Sequence, residues 1–158
     1  MFTEKDFEYM RRAALMAEES VANGGGPFGA VIVRDGEIVG RGANSVTRDN
    51  DPTAHAEVNA IRNACRNLDT FSLKRCVIYS SCEPCPMCLS AIYWAGIDRI
   101  YYGNTQADAE AINFSDSFIY RELAKPQIER AVPCIPMPND FTIKAFEMWA
   151  AKTDKIEY

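Results

Sequence analysis

The sequence predicts an α/β fold in one domain, and three observations carry that expectation. An Asp-Gly pair, Asp35-Gly36, separates two apolar runs, the mark of a two-residue β-hairpin. Beyond it, short apolar runs alternate with segments of helical periodicity, as strands and helices do along a shared sheet. The chain has 158 residues, 47% of them hydrophobic and 25% charged, which suits a single compact core.

The elements follow in order. Glu4 to Val21 reads as a helix with Phe7, Met10, Ala14, Ala17 and Val21 near one face, ended by Asn23-Gly24-Gly25-Gly26-Pro27. Phe28–Arg34 and Glu37–Ala43 are the hairpin strands. Asp51-Pro52 predicts a capped helix start with proline in its first position, running to about Arg66. Cys76–Ser80 is a short buried strand. Glu83-Pro84 opens a second helix that closes near Gly96, and Ile97–Tyr102 is the next strand. Short helices at Gln106–Ala111 and Ser117–Ala124, a strand near Arg130–Ile135, and a helix from about Asn139-Asp140 complete the chain, with a short tail ending at Tyr158.

Composition narrows the function classes. The net charge of -5 disfavours a phosphate backbone as partner, so the expectation is no nucleic acid. The segment MFTEKDFEYMRR carries acids early and no apolar stretch, and no run is long enough to span a bilayer. A cytoplasmic protein without a membrane partner follows as the expectation. Six cysteines in a reducing compartment point to metal or catalysis rather than a disulfide framework. There is one histidine, His55.

Two segments carry the chemistry: Thr53-Ala54-His55-Ala56-Glu57 and Cys82-Glu83-Pro84-Cys85-Pro86-Met87-Cys88. One imidazole and two thiolates, His55, Cys85 and Cys88, make a three-ligand zinc set that leaves one tetrahedral position open for water. Both segments fall at helix starts, where free N–H groups and the helix dipole favour thiolates. Glu57 follows the histidine closely and supplies a carboxylate for proton transfer. A lone Cys-x-x-Cys or His-x-Glu is a weak signal. Their combination in this order is the signature of zinc deaminases. Cys82 precedes the helix and reads as a packing or supporting residue, while Cys65, Cys76 and Cys134 read as inert core thiols.

These motifs resemble the cytidine deaminase superfamily. The blocks Gly25–Val33, Asn50–Glu57, Cys82–Cys88 with Ala91-Ile92-Tyr93-Trp94, Asp116–Tyr120 and the terminal Tyr158 resemble the small bacterial guanine deaminases. The first and third blocks are shared in part with tRNA adenosine deaminases; the Asp116 block and the terminal tyrosine discriminate. One departure is Ser115, where that family more often has a second acid. The resemblance implies a three-layer sandwich, a five-stranded mixed sheet between helices, with zinc at two helix starts. It implies one zinc per chain, and a homodimer exchanging its C-terminal segment, about residues 140–158. The reaction it implies is hydrolysis of guanine to xanthine and ammonia, a step of purine catabolism or salvage.

The resemblance also assigns Phe28, Asn44, Ala54, Trp94, Asp116 and Tyr158 to a purine base, with Asp116 a second proton carrier beside Glu57. By residue type alone these are ordinary. Asn44 reads as a loop asparagine, Phe28 as a core aromatic, Trp94 as helix packing, Asp116 as a helix cap and Tyr158 as a frayed end. Guanosine, cytosine and tRNA adenosine remain rival substrates. A structural zinc module is the non-enzymatic rival, and it would need a fourth protein ligand such as Cys82.

Overall fold

A computed structural model describes residues Met1–Tyr158. Its first compact unit, Met1–Ser117, is a three-layer α/β arrangement. Helix α1 (Glu4–Ala22) starts at Thr3, whose hydroxyl accepts from the Asp6 amide while the Asp6 carboxylate accepts from the Thr3 amide. This reciprocal cap satisfies two otherwise orphaned donors. The buried stripe of α1 is Tyr9, Ala13, Ala17 and Ser20, so the expected face is corrected: Phe7 and Val21 are exposed. The small residues win because they admit close approach. A side chain at Gly29 would sit 2.3 Å from the Ala13 carbonyl.

Strands β1 (Gly29–Arg34) and β2 (Glu37–Ala43) form the expected hairpin. Asp35 and Gly36 both have positive φ, 51° and 85°, as the tight primed turn requires. Strand β3 (Cys76–Cys82) pairs antiparallel with β1 and parallel with β4 (Arg99–Asn104), giving the order β2-β1-β3-β4. The sheet therefore has four strands, and the five expected are corrected. The Arg130–Ile135 stretch forms no strand. Pro126, Pro133, Pro136 and Pro138 surround it, and each removes a ladder donor and fixes φ.

Between β2 and β3 lie a short helix, α2 (Val46–Asp49), and α3 (Ala56–Leu68). Helix α3 begins at His55, four residues beyond the Asp51 expected to cap it. Asp51 instead accepts from the Thr53 amide and hydroxyl at 2.8 and 2.6 Å, a local turn that competes with helix. Helix α4 (Pro86–Ala95) likewise starts later than Glu83-Pro84 implied, with Pro86 rather than Pro84 in the first turn and left-handed Gly96 ending it. Helices α3 and α4 cover one face of the sheet through Ala56, Ala60, Ala64, Ile92 and Ala95 on Ile32 and Ile78. Helix α1 covers the other, with Tyr9 on Val31, Val33 and Tyr79. Helix α5 (Gln106–Ala111) follows, and α6 (Ser117–Leu123) leads into the second unit.

That unit, Phe118–Tyr158, contains most of α6, a 3₁₀ turn at Gln127–Glu129 and helix α7 (Ile143–Ala151). The Glu122 carboxylate accepts from Lys125 and from the Ala131 amide, and Arg130 donates to the carbonyls of Leu123 and Lys125. None of its residues is buried. Cys134 is exposed there, which corrects its reading as a core thiol; Cys76 is buried as expected and Cys65 half-buried. No helix of the chain is long and apolar enough to cross a membrane.

Candidate metal centre and active site

Helices α3 and α4 bring their N-termini together over the ends of β1 and β3. His55 caps α3 and Cys85 caps α4, both with extended backbone and neither side chain bonded to its own helix. A cap side chain normally turns back onto the first-turn amides. These two turn toward each other instead: Cys85 Sγ lies 3.6 Å from His55 Nδ1, and Cys88 Sγ lies 3.4 Å from it. The three ligand atoms all fall within 4.8 Å of one another. Ligands on a tetrahedral zinc, at Zn–N ~2.05 Å and Zn–S ~2.3 Å, stand roughly 3.6 Å apart for an N···S pair. The donor set fits that ion in number, chemistry and spacing.

The local electrostatics suit a cation. A hydrogen bond from Cys88 brings the Cys85 thiol down to about 4, helped by the His55 ring and against the cost of burial. The same bond, together with burial, pushes Cys88 up. The Cys85 contact raises His55. Two adjoining thiols beside an imidazole are an arrangement that a divalent ion completes by displacing thiol protons.

Glu57 stands in the first turn of α3, 6% exposed, and burial raises its carboxyl above the ordinary range. Cys88 lies on one side of it, and the Ser80 hydroxyl donates to its Oε1 at 3.2 Å. Cys82 is not among the converging donors. Its thiol points to the Thr105 carbonyl at 3.7 Å and is held up at about 11 by burial and by Glu57.

The residues expected to face substrate fall out unevenly. Asn44 is 9% exposed, and its Oδ1 accepts from the amides of Gly26 and Val46 at 3.4 and 3.3 Å, which turns its Nδ2 donor the other way. Phe28 opens β1 and meets Phe114 edge to face at 5.0 Å. Asp116 lies within electrostatic reach of Cys85; burial raises its carboxyl, and the charges of Cys85, Glu83 and Glu110 add to that. Its Oδ1 is buried and accepts no hydrogen bond within the chain. A lone buried acceptor is costly and calls for a partner. The backbone of Ala54 is engaged: its amide donates to Asp51, and its carbonyl accepts from Ser45 and Asn59. Only its methyl group remains to line a pocket.

Trp94 is 71% exposed and lies off the α4 face that buries Cys88, Ile92 and Ala95, so its expected packing against the core is corrected. Tyr158 is in the second unit and 83% exposed. Phe114 and Ser80 escaped the sequence reading. For Ser80 a signal exists, a polar residue at an inward position of a buried strand; for Phe114 there is none.

The fold and the converging donors define a class, and comparison with known families agrees. Residues 3–104 match the cytidine and deoxycytidylate deaminase zinc-binding region, and the chain belongs to this zinc-binding deaminase family. Within it, the chain is 49% identical over 151 residues to the guanine deaminase of Bacillus subtilis (strain 168), covering 95% of this chain and 97% of that protein. The solved structure of the Bacillus subtilis guanine deaminase superposes with a TM-score of 0.94 over 100% of this chain and 99% of that one, at 48% identity. A solved guanine deaminase from Nitrosomonas europaea gives 0.68 at 28% identity, over 73% of this chain and 66% of that one. The tRNA-specific adenosine deaminase of Aquifex aeolicus (strain VF5) is 43% identical over 96 residues, 60% of this chain and 64% of that protein.

Proposed function

We propose that the chain hydrolyses guanine to xanthine and ammonia, with His55, Cys85 and Cys88 holding one zinc and Glu57 moving the protons. The observation that carries the substrate is the closeness and the reach of the likeness taken together. The chain is 49% identical to the Bacillus subtilis guanine deaminase over 95% of its length, while its likeness to tRNA-specific adenosine deaminases is either shorter, 43% over 60% of this chain, or weaker, 35% over 84%.

Zinc at this site supplies an activated water for attack on C2. In the exchange a C2–O bond forms and the bond from C2 to the exocyclic amine breaks. Glu57 takes up the two protons that the attacking water gives up, delivering one to the adjacent ring nitrogen and, with Asp116, the other to the departing amine, a task suited to a carboxyl whose pKa burial has raised. Asn44 presents its Nδ2 donor to a carbonyl of the base, since its Oδ1 is committed to the loop amides. Phe28, braced by Phe114, and the Ala54 methyl wall the planar ring. Asp116 accepts from a ring or amino N–H through the oxygen left unpartnered, and relays a proton to the leaving ammonia.

The protein acts as a homodimer. Phe141, Ile143, Phe146, Met148 and Trp149 leave a large apolar surface on and beside α7, a helix too short to persist alone. A second copy covers it by exchange of the C-terminal segment, about residues 140–158, so that Tyr158 and Trp94 reach a site assembled from two chains. A free purine base as substrate places the enzyme in cytoplasmic purine catabolism or salvage.

Steady-state assay against guanine, guanosine, cytosine and adenosine, with metal analysis of the same preparation, tests this. Turnover of guanine above the others and about one zinc per chain are expected, the zinc lost in Cys85→Ser and kept in Cys82→Ser. Preference for another base, or loss of zinc in Cys82→Ser, overturns the corresponding assignment.

A further inference from the structure

We propose that Ser80 is a positioning residue for the reaction: its hydroxyl fixes the orientation of the Glu57 carboxylate. This rests on the reading of Glu57 as the proton carrier. Along β3 the side chains alternate between faces. Val77 and Tyr79 pack beneath α1, while Cys76 and Ile78 join the core under α3 and α4. Ser80 falls on the second face, across the ladder from Ala30, where the neighbouring positions are apolar. It is 1% exposed. A hydroxyl in such a place destabilises the fold unless it is hydrogen-bonded, and an alanine would pack there without that cost. Its partner is Glu57 Oε1, at 3.2 Å.

The geometry gives the bond a use. Glu57 reaches the site on a flexible side chain from the first turn of a helix, where its own amide and the Cys88 thiol also hydrogen-bond the carboxylate but neither is fixed to the sheet. Ser80 sits on the central strand, its backbone laddered to β1 at Ala30 and to β4 at Tyr102, so its hydroxyl is held rigidly. One carboxylate oxygen anchored to that point leaves the other to exchange protons with the reacting ring. Misplacing such a group by about 1 Å can cost ~10²-fold in rate.

The test compares Ser80→Ala and Ser80→Thr with the parent enzyme. Zinc content, melting temperature, and kcat and KM for guanine are measured, and the Ser80→Ala crystal structure is solved. In Ser80→Ala, kcat should fall about ten- to a hundredfold while KM moves less than about threefold, with zinc retained. Glu57 should adopt a different or divided orientation in its crystal structure. Ser80→Thr, which keeps the hydroxyl, should recover kcat to within about threefold of the parent. The inference falls if Ser80→Ala keeps full kcat, if Ser80→Thr loses as much as Ser80→Ala, or if Ser80→Ala loses zinc. A parent enzyme inert on guanine refutes the substrate reading instead; the Glu57 orientation in Ser80→Ala still decides the role of Ser80.

Discussion

A carboxylate in the first turn of a helix usually points into water, where the helix dipole stabilises its charge. Glu57 has the position without the solvent, because the same turn is pressed against β3 and the two thiols of α4. The carboxyl loses to burial more than it gains from the hydrogen bonds of its own amide and of Cys88, and the loss sets the direction of its shift. Replacing it with glutamine keeps the shape and removes the transferable proton. Glu57→Gln should hold its zinc and its melting temperature while turnover drops ~10²–10⁴-fold. Metal analysis and kcat measured together check this, and a near-normal rate with full zinc would remove Glu57 from the reaction. The metal donors and Glu57 were readable because that chemistry needs particular residue types at particular spacings. Ser80 and Phe114 were not, since serine and phenylalanine are common, and only strand pairing and an aromatic contact give these two a place near the reaction. Asp116 became a candidate only through likeness to a family; its residue type alone could equally have capped a helix.

At the scale of elements, the site depends on how closely α3 lies on the hairpin. A side chain at Gly42 would come within 2.1 Å of the Ala56 carbonyl and 2.4 Å of the Ala60 amide. Helix and strand thus touch backbone to backbone at the turn that carries His55 and Glu57. Both colliding atoms are main chain, so no rotamer change can relieve the clash; the helix start has to lift. Gly42→Ala should cost at least ~1–3 kcal/mol of stability. It should also weaken zinc binding, because His55 moves while Cys85 and Cys88 stay. Thermal melting with and without added zinc reads both effects. A variant with unchanged melting and unchanged metal affinity would show that α3 can shift without disturbing the centre. The hairpin turn was plain from Asp35-Gly36, as few other pairs adopt positive φ in succession. The helix starts were placed too early because Asp51 and Pro84 carry start signals that local turns used instead. The true starts, His55 and Cys85, are poor capping residues, retained for what their side chains do outside the helix.

At the scale of the molecule, the chain divides its work between a packed unit and an unburied one. Met1–Ser117 holds all the residues of the two cores, whereas Phe118–Tyr158 buries none of its side chains. Val132, Cys134 and Ile135 resemble a strand by hydropathy, and the surrounding prolines explain why none forms. The tail offers the sharpest test of the exchange proposed above. Helix α7 ends at Ala151, and the last four residues, Lys155-Ile156-Glu157-Tyr158, include an ion pair of 3.9 Å between Lys155 and Glu157 with the glutamate well exposed. Such a pair contributes ~0–1 kcal/mol, and no buried group is lost with the tail. Deleting these four residues should therefore leave zinc content unchanged and the melting temperature within about 2 °C. Guanine turnover should nevertheless fall at least ~10-fold. In the proposed function the terminal tyrosine would lie over the bound base of a site completed by a second copy, where it would exclude water and hold the ring for attack, and the truncation removes that closure. Steady-state assay of the truncated and intact proteins at matched zinc occupancy decides the matter. Equal rates would show that the tail plays no part in closing a site, and would leave the choice of guanine over other amino-bearing bases without support from the chain's end.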